Sequence, residues 1–203
     1  MAVEAGASAV GLVSAMPSGP GPIPETLIAE IAESVPPGVD TFLLTCLQDA
    51  DEIVTQQRRC RASAIQLCDS LDHREYSKLK RALPGIRIIQ VIHVSGPESV
   101  DEAVCVAPQV HAILLDSGNP TLAVKELGGT GRVHDWEISR RIRDAVTVPV
   151  FLAGGLTEWN VGAAIHQVNP YAVDVCSGVR TNGRLDPEKL TTFAREVNAG
   201  QGG

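Results

Sequence analysis

Short apolar runs alternate with amphipathic helical segments along the whole chain, and several of the apolar runs end in glycine or in an acid. The alternation predicts strands at residues 9–13, 41–46, 64–68, 86–94, 111–115, 149–153 and 171–176, and helices at 24–35, 50–60, 72–83, 97–107, 135–145, 158–168 and 186–198. Strands that alternate with helices require a parallel sheet covered by those helices. No signal for an antiparallel hairpin is evident, so we expect a purely parallel sheet.

The alternation alone does not separate an α/β barrel from an open doubly wound sheet, because both folds share it. A dinucleotide-binding sheet is disfavoured, since no Gly-x-Gly-x-x-Gly motif follows the first strand and the similar run at 128–131 lies late, within a loop. The 203 residues suffice for one well-buried domain spanning 1–203. They are few for an eight-stranded barrel, for which about 250 residues are typical.

Composition and charge argue against two classes of partner. The 17 basic and 24 acidic side chains give a net charge of −7, which disfavours nonspecific nucleic-acid binding. Aromatic residues make up 3% of the chain, too few for a base-stacking platform. No apolar run approaches the roughly 18 residues of a membrane span, and the N-terminus lacks the features of a signal peptide. We therefore expect no nucleic-acid and no membrane partner.

The cysteines point to a reducing compartment. They are five in number, scattered and without Cys-x-x-Cys spacing: Cys46, Cys60, Cys68, Cys105 and Cys176. A disulfide framework or a zinc cluster is therefore disfavoured, and the histidines also lack metal-ligand spacing. We expect a cytoplasmic protein with no bound metal.

Glycine turns follow the last two predicted strands, Gly154 and Gly155 after one, Ser177 and Gly178 after the other. Glycine lets backbone N–H groups approach an anion closely, and a short helix after Ser177 would add its positive end. Either pair alone could be an ordinary turn. Together they predict a phosphate cradle, which local amides can form despite an acidic net charge.

Six short motifs follow one another along the chain. They are Ala-Gly-Ala-Ser-Ala-Val-Gly at 5–11, Ala-Ile-Gln-Leu at 64–67, Leu-Leu-Asp at 114–116, Gly-Gly-Thr-Gly at 128–131 with Asp135 and Trp136, Leu-Ala-Gly-Gly-Leu at 152–156, and Asp-Val-Cys-Ser-Gly-Val at 174–179. In their order and spacing the chain resembles, over essentially its whole length, the phosphoribosylanthranilate isomerases, a family of tryptophan biosynthesis. The resemblance implies a (β/α)₈ TIM-type barrel and a cofactor-independent Amadori rearrangement of a phosphosugar.

The chain departs from the family in two places. The family's first strand carries a Lys-Ile-Cys-Gly-type motif whose cysteine is the general base, and we find no such strand here. We expect either an N-terminally short chain or a degenerate relative, poorly active and prone to aggregate or dimerise through the open edge. The loop at 15–23 also lacks the arginine that meets the anthranilate carboxylate in the family.

The resemblance assigns roles to two acids. Asp116, at the carboxyl end of a strand, would be the general acid, although it could instead cap the loop that begins with Ser117. Asp174 would contact the aminoaldose part of the substrate, although it could instead be a solvated or backbone-bonded acid at the end of a strand. It lies two residues before Cys176, so both side chains should share one face of the last strand. Cys176 is expected to be a packing residue, with a thiolate base as the minor alternative.

The loop at 128–131 is predicted to form a mobile flap, and Asp135 to cap the helix that follows it. We expect a small phosphosugar as the ligand and a monomer or homodimer as the assembly. Two alternatives stay open: a related barrel enzyme acting on another phosphosugar, and a non-catalytic protein that binds a phosphorylated ligand.

Overall fold

The computed structural model describes residues 1–200, and all seven predicted strands and seven predicted helices are present in it. The strands are β1 (Ala9–Val13), β2 (Asp40–Thr45), β3 (Ala64–Leu67), β4 (Arg87–His93), β5 (Ala112–Asp116), β6 (Val150–Leu152) and β7 (Ala172–Val173). The helices are α1 (Glu25–Ser34), α2 (Ala50–Cys60), α3 (His73–Ala82), α4 (Glu98–Val106), α5 (Trp136–Ala145), α6 (Val161–Val168) and α7 (Pro187–Gly200).

The seven strands form one parallel sheet in sequence order, β1 to β7. The sheet is strongly curled. Phe42 of β2 and Phe151 of β6 stack with ring centroids 6.2 Å apart, whereas four strand spacings in a flat sheet would separate them by about 19 Å. The curl therefore brings the inner faces of distant strands together, as in the wall of a barrel.

Side chains alternate between two apolar layers, as the two-residue period of a strand requires. The outward-facing residues Ile65, Ile113 and Leu152 are fully or almost fully buried beneath the helices. The inward-facing residues Val91 and Leu114 belong to a second cluster inside the curl. No helix within residues 1–200 has both the length and the apolar character that crossing a bilayer requires.

Three predicted helix starts are fixed by aspartate caps. Asp49, Asp72 and Asp135 each accept hydrogen bonds from backbone N–H groups in the first turn of α2, α3 and α5. Such caps satisfy donors that have no partner within the helix. The prediction that Asp135 caps a helix is confirmed.

The seven-stranded sheet is parallel throughout, as predicted, but the expectation that the chain has no antiparallel hairpin is wrong. Strands β8 (Arg180–Thr181) and β9 (Arg184–Leu185) form a small antiparallel hairpin. Its turn residues, Asn182 and Gly183, have φ values of +50° and +76°. Positive φ at both central positions is the requirement of a type I′ turn, for which Asn-Gly is the preferred sequence.

The last strand is shorter than predicted. It was expected to span residues 171–176, but β7 ends at Val173. Its neighbour β6 ends at Leu152, whose carbonyl accepts a final hydrogen bond from Asp174 N at 2.8 Å. Beyond that point the chain of β6 turns away through Gly154 and Gly155, so no ladder partner remains for residues 175 and 176.

A buried polar network joins β3, β4 and α3. Gln90 is 2% exposed; its Oε1 accepts a hydrogen bond from Tyr76 Oη at 2.7 Å. The Gln90 amide nitrogen donates to the carbonyls of Leu67 and Asp69 at 3.1 and 2.9 Å. The network therefore fixes the loop that leaves the carboxyl end of β3.

We expect Tyr76→Phe to lower the free energy of unfolding by about 1–3 kcal/mol, because Gln90 Oε1 loses its buried donor. Urea unfolding followed by circular dichroism measures the change. Tyr171→Phe is the matched control, since Tyr171 is 71% exposed and its substitution should cost less than about 0.5 kcal/mol. Equal midpoints for the two variants would contradict the importance of this network.

Candidate active site

Asp116 is the last residue of β5 and lies opposite His93 of β4 in the parallel register. It shares the inward face with Ala112 and Leu114, so its carboxyl lies within the mouth formed by the strand ends. It is 9% exposed, and its Oδ1 accepts a hydrogen bond from Ser117 N at 2.7 Å. The structure thus places this acid at the carboxyl end of a strand, as predicted.

Asp174 lies in the same mouth, although not on a strand. The expectation that Asp174 and Cys176 share one face of the last strand is wrong, because β7 ends at Val173. Burial among the strand ends, and then the negative charge of Asp116, raise the pKa of Asp174 to about 6. Asp174 is nevertheless an exposed residue by its surface area, and contact with water limits this rise. A ligand that displaced this water would raise the pKa of Asp174 further.

The loop between β5 and α5, residues 117–135, is the flap that covers Asp116. Gly128 has φ +125°, and a Cβ at this position would lie 2.7 Å from Asp116 Oδ2. Only glycine lets the loop backbone approach the acid so closely. The hydroxyls of Ser117 and Thr130 are 2.8 Å apart, and Arg132 forms an exposed ion pair with Glu126.

An ion pair joins the flap to the far side of the mouth. Lys125 Nζ lies 2.5 Å from Oδ2 of Asp69, which follows β3 and has a side chain only 5% exposed. Ser18 Oγ donates to the carbonyl of Lys125 at 2.6 Å. The pair spans 56 residues of sequence, and sequence reasoning did not find it, because neither residue belongs to a recognisable motif.

A cavity of about 320 Å³ lies beside the flap. It includes three of the predicted phosphate-cradle residues, Gly155, Ser177 and Gly178. The predicted short helix after Ser177 is present as a 3₁₀ turn at Ser177–Val179. Gly154 does not line this cavity and lies instead next to Asp116 and His134. The cavity also includes Lys189, which sequence reasoning missed.

Gly178 is required by the packing of this cavity. A Cβ on Gly178 would lie 1.9 Å from the carbonyl oxygen of Leu156. No side chain fits at that distance, so a residue other than glycine would separate the two loops that form the cavity. The cavity depends on this close backbone contact.

The thiols near the mouth are neutral at rest. Burial raises the pKa of Cys68 and, to a smaller extent, that of Cys46. A raised thiol pKa disfavours the thiolate, the form that removes a proton. Neither cysteine is thus set up as a general base by its surroundings.

A curled parallel sheet with a buried acid at a strand end and an adjoining glycine-lined cavity is the arrangement of an α/β enzyme whose site lies at the carboxyl ends of its strands. The profile of the N-(5′-phosphoribosyl)anthranilate isomerase family matches residues 25–196. An isomerase of this name from Methanosarcina mazei is 38% identical over 199 residues, covering 97% of this chain and 87% of the relative.

Solved structures of phosphoribosylanthranilate isomerases also resemble this chain. The phosphoribosylanthranilate isomerase of Thermotoga maritima superposes with a TM-score of 0.82 at 28% identity, over 98% of this chain and 91% of that one. Another, solved with reduced 1-(o-carboxyphenylamino)-1-deoxyribulose 5-phosphate, gives a TM-score of 0.80 at 26% identity and the same coverage. The chain therefore belongs to the phosphoribosylanthranilate isomerase family, and it is an isomerase of tryptophan biosynthesis.

We expect Lys125→Met to loosen the flap, because the buried carboxylate of Asp69 loses its cation. Hydrogen–deuterium exchange of residues 117–135 should become roughly tenfold faster, as the loss of one buried charged contact implies. Lys80→Met, which removes an exposed lysine of α3, is the control and should leave this exchange unchanged. Equal protection of the loop in both variants would show that the ion pair does not hold the flap.

Proposed function

We propose that Asp116 is the general acid with which this chain rearranges N-(5-phosphoribosyl)anthranilate to 1-(2-carboxyphenylamino)-1-deoxyribulose 5-phosphate. The observation that carries the proposal is the position of Asp116. It ends a central strand, lies within the mouth beneath the flap backbone, and is next to the loops that form the glycine-lined cavity. An acid held there can reach a sugar whose phosphate occupies that cavity.

The reaction needs one proton donor and one proton acceptor. Asp116 gives its proton to the ring oxygen as the bond from that oxygen to carbon 1 breaks, and the nitrogen lone pair forms the protonated Schiff base. A base then removes the proton from carbon 2, and the resulting enol becomes the ketone. Carbon 1 is reduced while carbon 2 is oxidised within one molecule, so no external oxidant or reductant is required.

We assign the substrate phosphate to the cavity formed by Gly155, Ser177 and Gly178. Backbone N–H groups of glycine loops can approach an anion closely, and Lys189, which also lines the cavity, adds a positive charge. Gly154 would serve the same site indirectly, by allowing the chain to turn between the cavity and Asp116. Asp174, open to water in the mouth, would contact the aminoaldose part of the substrate.

We expect Asp116→Asn to reduce kcat by about 10²–10⁴, the usual contribution of a positioned acid. The measurement is the loss of anthranilate-type fluorescence as phosphoribosylanthranilate is consumed. Asp135→Asn is the matched control: it lies at the end of the same loop, and asparagine caps a helix about as well as aspartate. If the two variants had equal activity, Asp116 could not be the acid.

We further propose that the sheet accepts an eighth parallel strand between β1 and β7, which would close a (β/α)₈ barrel. Within residues 1–200, no strand pairs with the free edges of β1 and β7. The inward-facing residues near these edges, Phe42, Leu44 and Phe151, are only half-buried. On the opposite wall Ile89 and Val91 are 2% and 3% exposed. Water thus reaches the interior on the side where one strand would fit.

The same strand would supply the general base. The family's first strand carries a catalytic cysteine, and the raised thiol pKa values of Cys46 and Cys68 disfavour either as a substitute. Under this proposal, the acid and the base would lie on different strands of the barrel, on opposite sides of the substrate.

We expect a form of the chain with a Lys-Ile-Cys-Gly-type strand added before β1 to be at least about 10²-fold more active than the 203-residue chain, because it gains the base. It should also unfold at higher urea concentration and show less self-association in gel filtration, since its sheet edges are paired. The same extension with alanine in place of the cysteine separates the two effects. Equal activity and stability with and without the strand would contradict the proposal.

We also propose a cytoplasmic location. All five cysteines are free thiols in the structure, including the exposed Cys105. Free thiols persist in a reducing compartment, whereas an oxidising one favours their pairing or modification.

A further inference from the structure

His134 ends the flap immediately before α5 and carries a polar atom for which the fold provides no partner. Its Nδ1 is fully buried and has no hydrogen-bond partner among the described residues. The other ring nitrogen, Nε2, lies 2.8 Å from Ser139 Oγ. A buried polar atom without a hydrogen-bond partner is unfavourable. A functional role would explain why the fold keeps one here.

The surroundings of Ser139 determine which ring nitrogen carries the proton. Ser139 Oγ donates its hydrogen to the carbonyl of Asp135 at 3.3 Å. The hydroxyl therefore accepts from His134, which places the imidazole proton on Nε2 and leaves a lone pair on Nδ1. Burial also lowers the pKa of His134, against the opposing charges of Asp116 and Asp135. The ring is thus a neutral acceptor at neutral pH.

Nδ1 faces the acid site. A Cβ built on Gly154 would lie 2.8 Å from His134 Nδ1 and 3.2 Å from Asp116 Oδ1, so the two atoms flank Gly154 and lie at most about 6 Å apart. A ligand oxygen can hydrogen-bond to two groups at separations up to about that distance. His134 holds this position through its contact with Ser139 at the start of α5.

We propose that His134 is a catalytic residue whose Nδ1 accepts a hydrogen bond from the hydroxyl that forms when the sugar ring opens. This inference rests on the proposed role of Asp116. The closed ring has an ether oxygen with no hydrogen and so cannot donate to Nδ1. Once Asp116 has transferred its proton and the bond to carbon 1 has broken, the same oxygen is a hydroxyl and can donate. His134 gains no proton in this step.

An interaction that exists only after ring opening favours the reaction more than it favours substrate binding. His134 would therefore act on kcat more than on KM. It would also bind an open-chain ligand better than a cyclic one, since only the open chain has a hydroxyl at this position.

Two substitutions distinguish the effect of the hydrogen-bond acceptor of His134 from the effect of the size of its ring. In His134→Asn the side-chain amide can place an oxygen near the position of Nδ1, whereas His134→Phe keeps the ring and removes both nitrogens. The probe is the reduced open-chain product analogue, with binding measured by calorimetry and compared with binding of inorganic phosphate. This readout does not require turnover.

We expect His134→Phe to weaken the analogue roughly tenfold, while His134→Asn stays within about threefold of the parent chain. Phosphate binding should be unchanged in both variants. The parent chain should also lose affinity for the analogue as the pH falls below the lowered pKa of His134, because the protonated ring becomes a donor. This loss should be absent in His134→Asn.

Equal affinities in all three proteins would overturn the proposal, and so would equal weakening in both variants, which would indicate a packing role. Nitrogen NMR of the folded parent chain gives an independent test, since a proton on Nδ1 at neutral pH would also overturn it. Asp116→Asn keeps the two proposals distinct. If that variant is inactive and His134→Phe binds normally, only the role of His134 fails; if it is active, the assignment of the acid fails.

Discussion

The whole site depends on the parallel direction of the seven strands, which brings every strand's carboxyl end to the same side of the sheet. Parallel pairing alone would leave these ends in a row, and the curl turns the row into a mouth. The contact between Phe42 and Phe151 shows how far the curl goes, because it joins strands that are four places apart. Asp116, Asp174 and the glycine loops therefore face one another although almost 60 residues separate the two acids in the sequence.

Close backbone approach is the second condition of this site. Gly128 lets the flap cross directly above Asp116, and Gly178 lets one loop of the cavity touch the carbonyl of Leu156. At both places a Cβ would occupy space that the neighbouring group already fills. The two glycines thus determine how near the flap can come to Asp116 and how near the loop of Gly178 can come to Leu156.

The extent to which the site could be predicted depends on the range of the interactions involved. Helix starts at Asp49, Asp72 and Asp135 follow from local capping, and the position of Asp116 follows from a short apolar run that ends in an acid. The hairpin was also locally encoded, by Asn182 and Gly183, and its sequence signal was overlooked. The early end of β7 is not specified by the sequence around it, because it depends on where the neighbouring strand β6 ends.

Two functional features lay beyond sequence reasoning for a physical reason. The contact of Lys125 with Asp69 joins two loops through the folded mouth, and neither residue is part of a motif. The acceptor on His134 depends on a chain of hydrogen bonds through Ser139 to a carbonyl, and hence on the exact start of α5. Neither the partner of a charge nor the tautomer of a histidine is specified until the backbone is in place.

The protonation of Asp174 and of His134 depends on their positions in the mouth. Asp116 and Asp174 face the same space, and the charge of the first is one cause of the raised pKa of the second. Because the folded state binds the proton of Asp174 more tightly than the unfolded chain does, this group favours folding at low pH, and its contribution is lost as the pH rises through about 6. His134 responds in the opposite direction, since burial favours its neutral form. The mouth therefore favours the protonated form of Asp174 and the neutral form of His134.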